Sequence, residues 1–484
     1  MNQHPSTSLG LLTDLYQLTM AYGYWRTGRA ERLATFHLYF RNAPFKSAYA
    51  VTAGLGAVAD YLDRFHFDES DTDYLAGLKG NDGESLFEDE FLSYLRRLEL
   101  CVDIDAMPEG TIAFGGEPIL RVTGPIAQGQ LLETALLNII NFQTLIATKA
   151  NRIVSVAGEH PVLEFGLRRS QGIDGGLSAS RAAYVGGCSA TSNVLAGKTF
   201  GIPVKGTHAH SWVMSFQSEH EAFEAYANSM PGNCVFLVDT YDTLEGINNA
   251  IDVGQKLRAR GHEMIGIRLD SGDLAYLSNQ ARQMLDKAGF PNATIVASND
   301  LDEHTIESLI SQGASINVWG VGTKLATAYD QPALGGVYKL GAIQDDNGNW
   351  QPRMKFSDQT VKMSIPGQLQ VYRFVSDGLM QFDMIDDDLL PSGKGSSIID
   401  PNDPHRSRAI NNDCTSTPLL RQWLLQGERV SEVESLASIR QRVREQCSML
   451  DASRKRLMNP HEYPVGLSES LHRQRERLRK EQCS

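Results

Sequence analysis

The sequence predicts an α/β fold built around a parallel sheet. Three observations predict it. Short apolar runs recur through the middle of the chain about 20–30 residues apart, the length of one strand plus a crossover helix. Each run ends in small or polar residues, and each is followed by a helical pattern. The runs are residues 235–238 before Asp239 and Thr240, 265–267 before Arg268-Leu269-Asp270-Ser271-Gly272-Asp273, 294–297 before Ser298-Asn299-Asp300, and 316–319 before Gly320-Val321-Gly322-Thr323. Residues 161–163 before Glu164-Phe165-Gly166 read as a further strand end. Such units form an open sheet or a closed barrel, and active sites on them sit at the C-terminal strand ends. The polar clusters fall at those ends.

The remaining elements follow in chain order. Residues 11–24 carry apolar side chains at helical spacing, with Thr13 and Asp14 as an N-cap pair. Residues 34–40 alternate and are aromatic-rich, hence strand; 55–65 read as helix; 110–124 are rich in Gly, Pro and β-branched residues, hence short strands and turns. Residues 130–153 form a long amphipathic helix. Beyond about Gly335 the runs 337–343, 354–357 and 369–375 read as strands joined by Asp, Asn and Gly turns, as in an antiparallel sheet completing the N-terminal lobe. From Leu419 onward the pattern is mostly helical, and the basic stretch 473–480 reads as a solvated helix face. The resulting partition is 1–130, an N-terminal α+β domain; 131–335, a βα-repeat domain; 336–418, antiparallel strands; and 419–484, a helical C-terminal segment.

Composition narrows the function classes. The 484 residues are 42% hydrophobic and 21% charged, enough apolar material for a sizeable core. Forty-five Lys and Arg against 58 Asp and Glu give a formal charge of −13, which argues against nucleic-acid or anionic-membrane binding. An anionic ligand would therefore be held by local arginines and backbone N–H groups against the global field. No apolar run reaches the ~18 residues of a membrane span. The N-terminus lacks the basic-then-apolar pattern of a secretory signal. The six cysteines are widely spaced with no C-x-x-C pair, so free thiols in a reducing cytoplasm are expected.

Four clusters carry candidate chemistry, each with a plainer alternative. In Glu164–Gly172, Arg168 and Arg169 just after a strand end suit a carboxylate or phosphate; an Arg–Glu pair within the fold would use the same residues. In Gly206-Thr207-His208-Ala209-His210-Ser211, two histidines at i and i+2 on a strand would face the same way, as metal ligands can, but no compact third ligand accompanies them. A histidine there also suits acid–base work, phosphate acceptance or a structural hydrogen bond. In Arg268–Leu274, Asp270 and Asp273 suit ribose hydroxyls or a hydrated Mg²⁺, and Ser271 and Gly272 would open a helix whose N–H groups suit a phosphate; a capped helix with an acidic first turn looks the same in sequence. Gly320-Val321-Gly322-Thr323 suits a backbone phosphate cradle or a tight turn, and it lacks the spacing of a P-loop.

Taken in order, these segments resemble the nicotinate phosphoribosyltransferase family. The resemblance runs through Thr13-Asp14-Leu15-Tyr16-Gln17-Leu18-Thr19-Met20, Tyr39-Phe40-Arg41-Asn42-Ala43-Pro44-Phe45, residues 164–193, 206–211, 268–274 and 317–339, and Asn459-Pro460-His461-Glu462-Tyr463-Pro464-Val465. It spans nearly the whole chain. It implies an irregular (β/α) barrel-like domain packed on an α+β N-terminal domain. It also implies a homodimer with shared active sites, and joining of nicotinate to phosphoribosyl pyrophosphate with ATP and Mg²⁺. No nucleic acid or membrane partner is implied.

The resemblance also implies residue roles. His210 matches the histidine that ATP phosphorylates transiently. Tyr16 and Thr207 match nicotinate-contacting positions, Tyr16 stacking on the ring from the other subunit. Arg168 and Arg268 lie by the nicotinate carboxylate or the ribose phosphate, with no ranking between them. Asp270 meets ribose hydroxyls or Mg²⁺. Ser271, Gly272, Ser298, Asn299, Asp300, Gly320, Gly322 and Thr323 surround the phosphoribosyl group, and Arg41 reaches a phosphate across the interface. The pyridine nitrogen attacks without deprotonation, so placement and electrostatics outweigh a general base. Residues 187–191 (Gly187-Cys188-Ser189-Ala190-Thr191) lack the acidic residue of the nicotinamide-using relative, which favours an anionic substrate. The quinolinate-using relative is a much shorter chain without the histidine motif, and a binding protein without catalysis would not need this full residue set.

Overall fold

The structure is a computed structural model that describes residues 8–356, 363–390, 396–411, 413–432 and 434–483. Backbone contacts divide it into two compact units. One is continuous, Ile146–Pro332; the other combines Met1–Leu145 with Ala333–Ser484.

The continuous unit holds the predicted parallel sheet. Its strands are β1 (Val162–Glu164), β2 (Ala190–Thr191), β3 (Val235–Leu237), β4 (Gly266–Leu269), β5 (Thr294–Ala297) and β6 (Val318–Val321). They lie in the order β2-β1-β6-β5-β4-β3, every pair parallel. The ladder is open between β2 and β3, the form that the barrel-like expectation takes here. The strands are short and apolar because both faces are covered: Phe236, Ile267, Ile295 and Trp319 are fully buried. Gly266 is required in β4, since a Cβ there would lie 2.1 Å from Thr294 O on the neighbouring strand. The fourth run lies slightly later than expected, because Ile316 is buried ahead of the strand and Gly320 and Val321 take its place in the ladder.

Four of the turns from strand to helix, those after β2, β3, β4 and β5, close with a short polar cap. The side chains of Asn193, Asp242, Asp273 and Asp302 accept from backbone N–H groups of Ala196, Glu245, Tyr276 and Thr305. Such caps satisfy helix-end donors that otherwise have no partner. Asp273 therefore takes the plain alternative offered by the sequence. Its helix is Leu274–Lys287, so Ser271 and Gly272 lie in the loop before it rather than in its first turn.

The discontinuous unit carries two sheets. Leu33–Phe40 sits inside a seven-stranded antiparallel sheet, between Gly336–Gln344 and Pro118–Pro125. Thus the strands after Gly335 do join the N-terminal elements, but only in part. Leu369–Ser376 and Leu379–Asp387 begin a separate six-stranded sheet. The expected strand at 354–357 is not seen at 354–356, and residue 357 lies outside the described residues; the nearby strand is Trp350–Pro352. The C-terminal segment is less helical than its pattern predicts. Arg421–Leu425 pairs with Asp103–Ala106, and Val465–Ser468 inserts between Leu379–Asp387 and Ser397–Ile399. These short strands owe their conformation to distant partners, which local periodicity does not register. Helices Leu436–Ser448 and Glu469–Cys483 account for the helical reading.

Among the described residues, no helix is long and apolar enough to cross a membrane. Cys101, Cys234 and Cys414 are free thiols.

Candidate active site

The polar strand ends of the continuous unit converge. Arg268, at the end of β4, is the centre of a hydrogen-bonded knot. Its Nε donates to Ser298 Oγ (2.8 Å), Nη1 to Thr207 Oγ1 (3.1 Å) and Nη2 to Asp270 Oδ1 (2.9 Å). Ser298 Oγ also donates to Asp270 Oδ1. One guanidinium thus ties together the ends of β4 and β5 and the loop carrying Thr207. Three of its five N–H groups are taken, which leaves two for a ligand. Burial pushes the Asp270 carboxyl up, but the Ser298 hydroxyl, the Arg268 guanidinium and the nearby His210 outweigh it, and the group is held below the usual carboxylate range.

Asp239, at the end of β3, forms the second layer. Its side chain is 1% exposed. Its Oδ2 accepts from Asp270 N (2.8 Å) and Ser271 Oγ (2.7 Å), while Oδ1 is buried without a hydrogen-bond partner. His210 faces this pair of carboxylates: Nε2 is 4.0 Å from Asp239 Oδ1 and 3.8 Å from Asp270 Oδ2, and Nδ1 lies 3.1 Å from Thr240 Oγ1. Distances near 4 Å are charge contacts rather than hydrogen bonds.

His208 does not share the direction of His210. The segment 206–209 is irregular rather than a strand, and His210 begins the short helix His210–Met214. His208 turns inward among the rings of Phe223, Tyr226 and Phe236, and its Nε2 accepts from Leu237 N (3.3 Å). Burial, aided by the charge of Arg268, pushes its pKa down to about 4, so the ring is neutral. Its role is the structural one weighed from sequence.

Glu164 is met by hydroxyl and backbone donors. Its buried carboxylate accepts from Ser180 Oγ (2.9 Å), Thr191 Oγ1 (2.6 Å) and Gly166 N, which pins β1, β2 and the helix Gly172–Gly186 behind the site. Arg168 is exposed in the turn Leu167–Arg169. Phe165 lies between the strand ends: a Cβ at Gly320 would sit 2.9 Å from its ring, and Arg268 Cζ is 5.7 Å from the ring centroid. A Cβ at Gly320 would also be 3.4 Å from Ser298 Cβ, which places the ends of β5 and β6 in contact. Asn299 and Asp300 are exposed and both have positive φ, 108° and 42°. Gly322 precedes the turn Thr323–Ala326.

Tyr16 and Arg41 belong to the discontinuous unit. Tyr16 is half-exposed on the helix Leu15–Arg26, beside exposed Leu12, Leu15 and Met20. Arg41 follows Leu33–Phe40, and its Nε is buried without a hydrogen-bond partner. Lys339 is a neighbour: burial lowers its pKa, and the charges of Lys355 and Arg41 push the same way, against Glu133. Among the described residues no three His, Cys, Asp or Glu side chains converge as a metal cage.

Sequence reasoning passed over Asp239, Thr240 and Phe165 as site residues. Asp239 and Thr240 end a predicted strand just as Ser298 does, so their signal was present; Phe165 reads as core, and nothing in the sequence marks its half-buried ring, on which Gly320 packs closely.

The matches to known proteins run along the whole chain. The nicotinate phosphoribosyltransferase N-terminal domain matches residues 11–141, the family's central model 162–362 and its C-terminal domain 368–475. A nicotinate phosphoribosyltransferase of Bacillus subtilis is 46% identical over 470 residues, covering 96% of this chain and 93% of its own. The chain belongs to the nicotinate phosphoribosyltransferase family. The human member is 36% identical over 95% of both chains. The crystal structure of human nicotinic acid phosphoribosyltransferase superposes with a TM-score of 0.85 at 34% identity, over 96% of this chain and 99% of that one. A nicotinate-nucleotide pyrophosphorylase from Pyrococcus furiosus shares the fold, with a TM-score of 0.70 at 22% identity over 93% of this chain and 98% of that one. As a member of this family the chain is an enzyme.

Proposed function

We propose that the protein joins nicotinate to 5-phosphoribosyl 1-pyrophosphate, releasing nicotinate mononucleotide and pyrophosphate in NAD salvage, with ATP hydrolysis coupled through a phosphohistidine at His210. The observation that carries the reading is the Arg268 knot. The guanidinium has two N–H groups left for an anion, and it sits beside the flat face of Phe165 and the hydroxyl of Thr207. An aromatic acid fits that combination: its carboxylate takes the guanidinium and its ring lies against Phe165. Arg268 therefore holds the nicotinate carboxylate, and exposed Arg168 the outer side of the same pocket. No carboxylate stands in residues 187–191, and the nearby Glu164 is consumed by its three donors.

The phosphoribosyl group lies across the ends of β4, β5 and β6. Ser271, Gly272, Ser298, Asn299, Asp300, Gly320, Gly322 and Thr323 surround it with hydroxyls and backbone N–H groups. Asp270, held ionised, faces the positive charge that develops on the ribose as the anomeric C–O bond breaks.

At His210 a proton on Nδ1 is donated to Thr240 Oγ1, which leaves the Nε2 lone pair to attack the terminal phosphorus of ATP; the P–O bond to ADP breaks as the N–P bond forms. A phosphoryl group there would stand against Asp239 and Asp270, and three negative groups require a cation. The unpartnered Asp239 Oδ1 and the Asp270 carboxylate are hard oxygen donors that suit Mg²⁺, which keeps waters and phosphate oxygens in its shell. When bound, Mg²⁺ supplies charge neutralisation for the departing diphosphate.

The active species is a cytoplasmic homodimer in which the second copy supplies Tyr16 and Arg41. Support comes from the exposed apolar stripe around Tyr16 and the buried, unpartnered Nε of Arg41. The deciding experiment incubates purified protein with phosphoribosyl pyrophosphate, Mg²⁺ and either nicotinate or nicotinamide, with and without ATP. Nicotinate mononucleotide should form, faster with ATP and with release of ADP. No product from nicotinate, or equal use of nicotinamide, overturns the reading.

A further inference from the structure

The loops that follow β5 and β6 are joined by charge behind the site. Asp302 caps the helix Glu303–Ser311 through Oδ1, which accepts from Thr305 N (2.7 Å); its Oδ2 accepts from Lys324 Nζ (2.7 Å). Lys324 lies in the turn immediately after Gly322. The two side chains are 7% and 27% exposed, so the contact is largely shielded from solvent. One carboxylate thus closes the first loop and holds the lysine side chain of the turn that closes the second.

The next residue deepens the anchorage. Glu303 is buried and meets Arg152 Nε (2.8 Å) and Lys149 Nζ (2.7 Å), both on the long helix Glu133–Ala157; Lys149 also meets Asp330. Between Ser298 and this anchor the chain passes through two consecutive non-glycine residues at positive φ, Asn299 and Asp300. Backbone of that kind persists only where its surroundings over-determine it. The anchor at Asp302 and Glu303 is such a surrounding. Burial pushes the Asp302 carboxyl up, but Lys324 and the Thr305 amide prevail and bring it to about 2, so the pair stays charged at all ordinary pH.

We propose that Asp302 and Lys324 form a tether that fixes the spacing of these two loops, and through it the grip on the 5′-phosphate of the ribosyl donor. The role is one of positioning, and it rests on the assignment of the two loops to that phosphate. Asp302→Asn isolates the charge, because asparagine caps a helix as well as aspartate does. Lys324→Met keeps the aliphatic stem. Each should raise the KM for phosphoribosyl pyrophosphate, and the dissociation constant of ribose 5-phosphate measured by calorimetry, by about tenfold to a hundredfold, the scale of a misplaced binding group. The KM for nicotinate should move by less than about twofold, the double variant should be no worse than either single one, and Lys324→Arg should restore binding.

A Lys324 that touched the phosphate itself would be released by Asp302→Asn, so unchanged or tighter ribose 5-phosphate binding in that variant overturns the tether. So does an equal loss of nicotinate and ribose-phosphate affinity. Should Asp302→Asn not fold, the Lys324→Met and Lys324→Arg pair decides on the same readout. Calorimetry with ribose 5-phosphate needs no turnover, so an inactive wild-type protein would refute the proposed reaction while the tether is still judged on binding.

Discussion

Replacing Arg268 by lysine keeps the charge and removes the fork. The arginine makes three hydrogen bonds, to Ser298, Thr207 and Asp270, with its side chain 14% exposed. Lysine offers one ammonium that can reach one or two of these acceptors but cannot span all three while also meeting a carboxylate in two places. Charge-assisted hydrogen bonds contribute about 1.5–3 kcal/mol each, so losing the equivalent of one or two gives roughly 2–4 kcal/mol. That is about 30- to 1000-fold in kcat/KM for nicotinate. The assay is initial-rate formation of nicotinate mononucleotide with each substrate varied in turn, alongside thermal unfolding. The loss should fall on nicotinate more than on phosphoribosyl pyrophosphate. Since Arg268 helps depress the Asp270 carboxyl, its pKa should also rise in the variant. Stability tied to that depressed carboxyl is present above its unfolded-state pKa and fades as pH falls through the folded one, so the variant should lose less on acidification. Retention of wild-type kcat/KM within about threefold would show that Arg268 is scaffold only and that another residue takes the carboxylate.

Three more outcomes are expected. His210→Ala should abolish ATP stimulation and ADP release while the protein stays folded, because the ring is partly exposed and its side-chain hydrogen bond is to Thr240, with only longer charge contacts to Asp239 and Asp270; ATP-stimulated turnover in that variant would remove His210 from its role. Asp239→Asn, nearly isosteric, should keep the hydrogen bonds from Asp270 N and Ser271 yet lower ATP-coupled turnover by more than about tenfold, since the unpartnered oxygen beside His210 loses its charge; an unchanged rate counts against a cation there. For His208 the folded pKa of about 4 lies below the unfolded value near 6.5, so its protonation favours unfolding, and stability falls as pH drops from about 6.5 to about 4. Urea denaturation of His208→Gln at pH 7 and pH 5 should show a smaller pH difference than wild type, and an equal difference would mean the imidazole is not the group that titrates.

The sheet and the rim of the site were readable because both obey local rules. A buried parallel strand must be apolar, and its C-terminal turn must be polar, so residues 294–297 followed by Ser298 announce both together. What could not be read was which polar group works on substrate and which on structure. Asp273 and Asp270 stand three residues apart in similar company, yet one caps a helix and the other joins the Arg268 knot. Both are short acids after a strand, and only the third dimension separates them. His208 and His210 present the same ambiguity, resolved by the ring cluster that absorbs His208. The C-terminal strands were missed for a different reason: Arg421–Leu425 finds its partner more than 300 positions earlier, at Asp103–Ala106, and no local window reports that.

The order of the two units along the sequence, with 146–332 interrupting the other, has a consequence for biosynthesis. All the residues of the Arg268 knot, with Asp239 and His210, lie between positions 146 and 332, so a nascent chain emerging from the ribosome can close that core early. By contrast, Leu33–Phe40 waits about 300 residues for Gly336–Gln344 to complete its ladder. Its open edge must be kept from pairing with other chains throughout translation, which makes premature termination anywhere before that strand an aggregation hazard.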